Sequence, residues 1–184
     1  NSHKLYDQLH PFIQTLVETK TTTLTSEDLF RRDDTCTQRP VHLLYTGRMV
    51  REKGLKFIVE ALALLVKNDE DVVLDLVGWP PKNDPDLEEI RSLAVELGVA
   101  NRVFYHGYKA VGRELFEYYR NADIYVIASV SDFEGFPRTI WEAMANSLPV
   151  VARRTIDRAL RGKRLYIPGV VNRVFSLCGS LVPR

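Results

Sequence analysis

From residue 41 onward, short β-branched runs alternate with stretches in which apolar residues recur at helical spacing. VHLLYTG (41–47) predicts a strand, and GLKFIVEALALLVKN (54–68) predicts an amphipathic helix with Leu55, Ile58, Val59, Leu62, Leu65 and Val66 on one face. VVLDLVG (72–78) repeats the strand. DPDLEEIRSLAVELG (84–98) repeats the helix, with Leu87, Ile90, Ala94 and Leu97 turned inward and Gly98 as a stop. The alternation continues with VFYHG before RELFEYYRNA, then IYVIAS before FPRTIWEAMANS, and ends in PVVA. Strands and helices in strict alternation imply right-handed crossovers and an α/β fold: a Rossmann-like, doubly wound parallel sheet.

Two flanks break the pattern. Residues 18–39 are polar and threonine-rich and read as a linker entering the first strand. Residues 153–184 follow the last periodic element and carry Arg153, Arg154, Arg158, Arg161, Lys163, Arg164, Arg173 and Arg184 against the single acid Asp157. The body is therefore acidic on balance, although the chain's net charge is +1. That argues against a general nucleic-acid binder, whose affinity comes from a cationic field. The chain divides into 1–40, 41–152 and a basic tail from 153 to 184. Val170, Val171, Val174, Phe175, Leu177, Leu181 and Val182 of the tail are expected to cover a sheet face, in preference to lying on an anionic membrane. Pro168, Gly169, Gly179 and Pro183 break any long helix there.

Composition places the chain among folded proteins, with 45% apolar and 27% charged residues. No apolar run reaches the roughly 18 residues of a membrane span, so the expected location is cytoplasmic, with peripheral membrane contact as a variant. Cys36 and Cys178 are too few for a disulfide scaffold or a four-ligand zinc site and are expected to be free thiols.

In an open parallel sheet, ligands bind where the strands end. GRMVREKG after the first strand puts Arg48 and Lys53 on one loop between Gly47 and Gly54. A planar donor fork and a point charge suit a phosphate or diphosphate, or both are solvated loop charges. The loop is neither a dinucleotide fingerprint nor a P-loop. After the fourth strand, DFEGFPRTIWEAMANS places Pro137 as a first helical residue, with the N–H groups of Arg138, Thr139 and Ile140 free to face an anion. Glu134 and Glu142, with seven residues between them, accept hydrogen bonds only and so favour a ligand rich in hydroxyls. The plainer alternative makes one a helix-dipole partner and the other a solvated glutamate.

GR and KG after the first strand, E-G-F-P with a second Glu eight positions on, then AMA and PVVA, together resemble the C-terminal, donor-binding lobe of retaining family 4 (group 1) glycosyltransferases of the GT-B type. The resemblance covers about residues 41–152. It implies that Arg48 and Lys53 hold the donor diphosphate, that Glu134 faces the transferred sugar and that Glu142 binds the nucleotide ribose. Backbone amides around Gly47, Gly135, Phe136, Arg138, Thr139 and Ile140 would contact sugar and phosphate, and His106 and Tyr108 would lie near the base. The donor would be a UDP- or GDP-sugar, the cofactor none and the metal none. The product would be a hexosylated glycan or lipid-linked acceptor in polysaccharide biosynthesis. Pro137 stands where many members have glycine, and the Gly-Gly and Pro-Glu turn that usually follows PVVA is missing. The tail instead faintly resembles the end of short-chain dehydrogenases, without their Tyr-x3-Lys chemistry.

The resemblance implies that an acceptor-binding lobe is missing and that the chain binds its donor without efficient transfer. The alternative is a non-catalytic interaction module or stranded fragment with a vestigial pocket, whose bare apolar face a homodimer or the docked tail would cover.

Overall fold

A computed structural model of the chain describes residues 24–80, 85–130 and 137–152. These residues form the strands β1 (Val41–Arg48), β2 (Val72–Trp79), β3 (Val103–Gly107), β4 (Ile124–Ile127) and β5 (Val150–Ala152). The helices are α1 (Leu55–Lys67), α2 (Asp86–Glu96), α3 (Arg113–Asn121) and α4 (Arg138–Ala145). All strand pairings are parallel and the order is β3-β2-β1-β4-β5, the expected doubly wound arrangement.

The two faces of the sheet carry separate cores because side chains alternate along each strand. On one face Leu43, Tyr45, Leu74 and Leu76 meet Leu55, Ile58, Val59 and Leu62 of α1 and Ile90 and Ala94 of α2. On the other, Leu44, Val77, Tyr125 and Ile127 meet Leu115, Phe116 and Tyr119 of α3 and Ala143 of α4. Leu65, Val66 and Leu87 are only partly buried, while Leu97 caps α2 and stays exposed. The chain builds outward from β1 to β3 and then returns to β4 on the other side of β1. The loops after β1 and β4 therefore part at this switch point, where such sheets open a crevice.

The segment read as a linker is fastened to this frame. The Arg32 guanidinium donates to the carbonyl oxygens of Tyr119 (2.9 Å), Arg120 (2.7 Å) and Ala122 (2.7 Å), closing the C-terminal end of α3. A cation there meets both the orphan carbonyls and the negative end of the helix dipole. The Phe30 N–H donates to the Ala145 carbonyl at the end of α4. The Asp123 carboxylate accepts the backbone N–H groups of Cys36 (2.7 Å) and His42 (2.9 Å). Cys36 is a free thiol. The expectations for residues 1–23, for the basic tail with Cys178, and for Glu134, Gly135 and Phe136 all lie outside the described residues.

Candidate functional site

β1 ends in a tightly held turn. Tyr45, wholly buried, donates from its hydroxyl to the Arg48 carbonyl at 2.7 Å. The Met49 N–H donates to the Trp79 carbonyl at 2.9 Å, so the turn leaves the sheet beside the end of β2. Residues Arg51–Lys53 form one 3-10 turn, and Gly54 closes it at φ +69° before α1 begins. The Glu52 carbonyl accepts the Val130 N–H (2.8 Å) and the Ser129 hydroxyl (3.2 Å), which joins this turn to the residues after β4.

Arg48 is exposed and Lys53 half-buried on this turn. Burial, with the Arg48 charge as the next cause, holds the Lys53 ammonium below its usual pKa, and Glu52 offsets this in part. Two cations close enough to oppose each other are relieved when a bound anion lies between them. Arg48 ends β1 and Lys53 closes the 3-10 turn that follows, so both lie on one turn.

α4 starts one residue later than expected. Pro137 is its cap, in an extended conformation (ψ 127°), and Arg138 is the first helical residue. The Ile140 N–H donates to the Pro137 carbonyl at 3.0 Å, because this i to i−3 bond tightens the first turn, so it is not one of the outward donors. The Ile140 side chain packs into the second core. Arg138 and Thr139 keep the first-turn position, Arg138 exposed and Thr139 half-buried.

Glu142 is 4% exposed, which removes the solvated-glutamate alternative. Its Oε2 accepts the Tyr119 hydroxyl at 2.7 Å. The Tyr119 oxygen lies 2.6 Å from Thr46 Oγ1, and the Tyr125 hydroxyl is 3.4 Å from both Thr46 Oγ1 and the Thr46 carbonyl. A polar chain thus runs from β1, one residue before Gly47, through α3 to Glu142 on α4. Burial above all, then the neighbouring Tyr125 and the Glu142 charge, pushes the Tyr119 pKa well up. Burial pushes that of Tyr125 up to about 12, against hydrogen bonds to Thr139 and Thr46. Both phenols stay protonated donors.

At the other side of the switch point, Gly47 pairs in register with Gly78 and Arg48 with Trp79. A Cβ on Gly78 would come within 1.8 Å of the Gly47 carbonyl oxygen, so the two backbones touch where β1 and β2 end. Tyr108, exposed, meets the Trp79 ring edge-on at 5.0 Å. His106 turns instead to the sheet face, where its Nε2 lies 2.6 Å from Asp75 Oδ1. Asp75 also holds His42 Nδ1 at 2.7 Å. No group of His, Cys, Asp and Glu suited to a metal ion occurs among the described residues.

Sequence reasoning missed Thr46, Tyr119 and Tyr125. The available signal was a tyrosine at a core-facing helical position beside Leu115 and Phe116, since a buried phenol needs a partner for its proton.

The family model described as Glycosyl transferases group 1 matches residues 27–158. The lipopolysaccharide 1,6-galactosyltransferase of Salmonella typhimurium is 27% identical over 141 residues, 73% of this chain and 37% of that protein. The chain therefore spans little more than a third of this relative's length. The C-terminal domain of a glycosyl transferase group 1 family protein from Francisella tularensis superposes with a TM-score of 0.61 at 20% identity, over 87% of this chain and 88% of that one. Anabaena HepE, solved with UDP and glucose, superposes with a TM-score of 0.55 at 24% identity, over 76% of this chain and 38% of that one. Both structures share the fold.

Proposed function

The chain belongs to the group 1 glycosyl transferases, and from that premise we propose that it is the donor-binding lobe of a retaining hexosyltransferase. Arg48 and Lys53 hold the diphosphate of a UDP- or GDP-sugar from one side, and the start of α4 holds it from the other. Glu142 binds the ribose and Glu134 faces the transferred sugar. What supports this reading is that Arg48 and Lys53 share the turn after β1, at the switch point, while a buried carboxylate on α4 is joined to β1 through Tyr119 and Thr46.

As the sugar leaves, negative charge grows on the diphosphate. Fixed cations and a helix start stabilise that charge without having to reorganise, which is the largest single device available to such a site. Arg48 and Lys53 carry out this task in place of a divalent ion. Names of similar proteins agree with the reading: the Salmonella relative is a galactosyltransferase acting on lipopolysaccharide, and the Anabaena structure holds UDP and glucose.

An acceptor-binding lobe is needed to position the attacking hydroxyl and exclude water, so the chain alone binds donor and transfers slowly. The acceptor is a glycan or a lipid-linked molecule, and the protein works in the cytoplasm or at the periphery of a membrane. No helix among the described residues is long and apolar enough to cross one.

The test is calorimetric titration of the whole chain with UDP and with GDP in the presence of a chelator. Saturable binding of either supports the reading. Absence of binding to both overturns it in favour of a non-catalytic interaction module.

A further inference from the structure

We propose that Tyr119 is a positioning residue for the nucleotide site, fixing one oxygen of the Glu142 carboxylate so that the other is presented to a ribose hydroxyl. The inference rests on the ribose role given to Glu142 above. A phenol has one proton, and that of Tyr119 goes to Glu142 Oε2. At 2.6 Å from the same phenol oxygen, Thr46 then gives its single proton to Tyr119 rather than to the Tyr125 hydroxyl 3.4 Å away, so the chain runs in one direction from Thr46 through Tyr119 to Glu142.

Tyr119 cannot reverse this direction by ionising, because burial holds its proton far above the working pH range. Each member sits on a different element: Thr46 on β1, Tyr119 on α3 and Glu142 on α4. Glutamate has three rotatable side-chain bonds, and a ligand that had to order them itself would bind more weakly. The hydroxyl of Tyr119 supplies that order beforehand from a ring with no exposed surface.

The experiment compares UDP and GDP with their 2′-deoxy and 3′-deoxy forms on the whole chain, by calorimetry, for the parent protein and for Tyr119→Phe, Thr46→Val and Glu142→Gln. The parent should prefer the complete ribose by about tenfold or more, the ratio for losing a hydrogen bond to a charged group. Tyr119→Phe, which keeps the ring, should shrink that preference several-fold and leave affinity for the deoxy forms unchanged. Thr46→Val should shift the preference in the same direction by less. A merely structural role would lower affinity for ribose and deoxyribose forms alike, and that result overturns the proposal. If Tyr119→Phe fails to fold, an unaltered ribose preference in Thr46→Val overturns it instead. Should Glu142→Gln also leave the preference intact, the ribose role of Glu142 falls. Loss of the preference in Glu142→Gln together with its retention in Tyr119→Phe rejects the positioning role alone.

Discussion

Gly54 lies so close to Ala128 that a Cβ built on the glycine would stand 2.2 Å from the Ala128 carbonyl oxygen. The turn carrying Lys53 can therefore press against the end of β4 only because this residue has no side chain, and its φ of +69° demands glycine independently. Gly54→Ala should destabilise the chain by about 2 kcal/mol or more, since the left-handed conformation alone costs roughly 1 to 2 kcal/mol before the clash. Chemical denaturation measures it. A change under about 0.5 kcal/mol would mean that neither the left-handed conformation at Gly54 nor its contact with Ala128 holds in solution.

Arg48→Ala should weaken nucleoside diphosphate binding by about 1.5 to 3 kcal/mol, the usual size for a bond to a charged group. Calorimetry showing unchanged affinity would remove Arg48 from the site.

Lys53 should titrate below the usual lysine value of 10.5, chiefly through burial and secondly through Arg48. Between its lowered value and 10.5 the unfolded chain holds more protons than the folded one, so stability rises with pH in that window. Arg48→Ala should move the titration part of the way back up, because burial remains, and a bound diphosphate should move it further. NMR of the lysine side chain follows both steps. Identical Lys53 titrations with and without Arg48 would show that the cations do not sense each other.

The two glutamates should fail differently. Glu142→Gln keeps the shape and lets its amide oxygen accept from Tyr119, but it turns an NH2 donor toward the ribose in place of a carboxylate oxygen, so it should weaken nucleoside diphosphate and nucleotide sugar alike. Glu134→Gln should spare the diphosphate and, once an acceptor-binding lobe is supplied, lower mainly turnover. Loss of diphosphate binding in Glu134→Gln would show this division of roles to be wrong.

Arg32→Met keeps most of the side-chain bulk but leaves the carbonyls of Tyr119, Arg120 and Ala122 without their cation. About 2 to 4 kcal/mol of stability should disappear, within the range for losing charged hydrogen bonds at a half-buried helix end. Equilibrium unfolding in urea gives the value. A loss below about 1 kcal/mol would reduce Arg32 to a surface contact.

The sheet order could be anticipated because each element announces itself locally: Leu55, Ile58, Val59 and Leu62 recur at helical spacing and are the residues α1 buries. The place of Arg48 and Lys53 on one turn was equally legible, since the strand pattern had already set where β1 ends. What escaped was long-range. Arg32 reaches carbonyls 87 to 90 residues away, and Tyr119 meets Glu142 from another helix, so neither contact leaves a periodic trace. The burial of Glu142 left no local trace either. A glutamate on an amphipathic helix is normally solvated, and only the tertiary partner explains its burial.

The pairing of Trp79 with Arg48 across β1 and β2 has a spectroscopic use. The chain has two tryptophans, both half-exposed: Trp79 pairs with Arg48 in the strand register, and Trp141 precedes Glu142 on α4. Indole emission responds to polarity and to nearby bases, so occupancy becomes visible in unlabelled protein. Trp79→Phe and Trp141→Phe would then split the optical signal by location, reporting separately on the edge near Tyr108 and on the helix that carries the carboxylate.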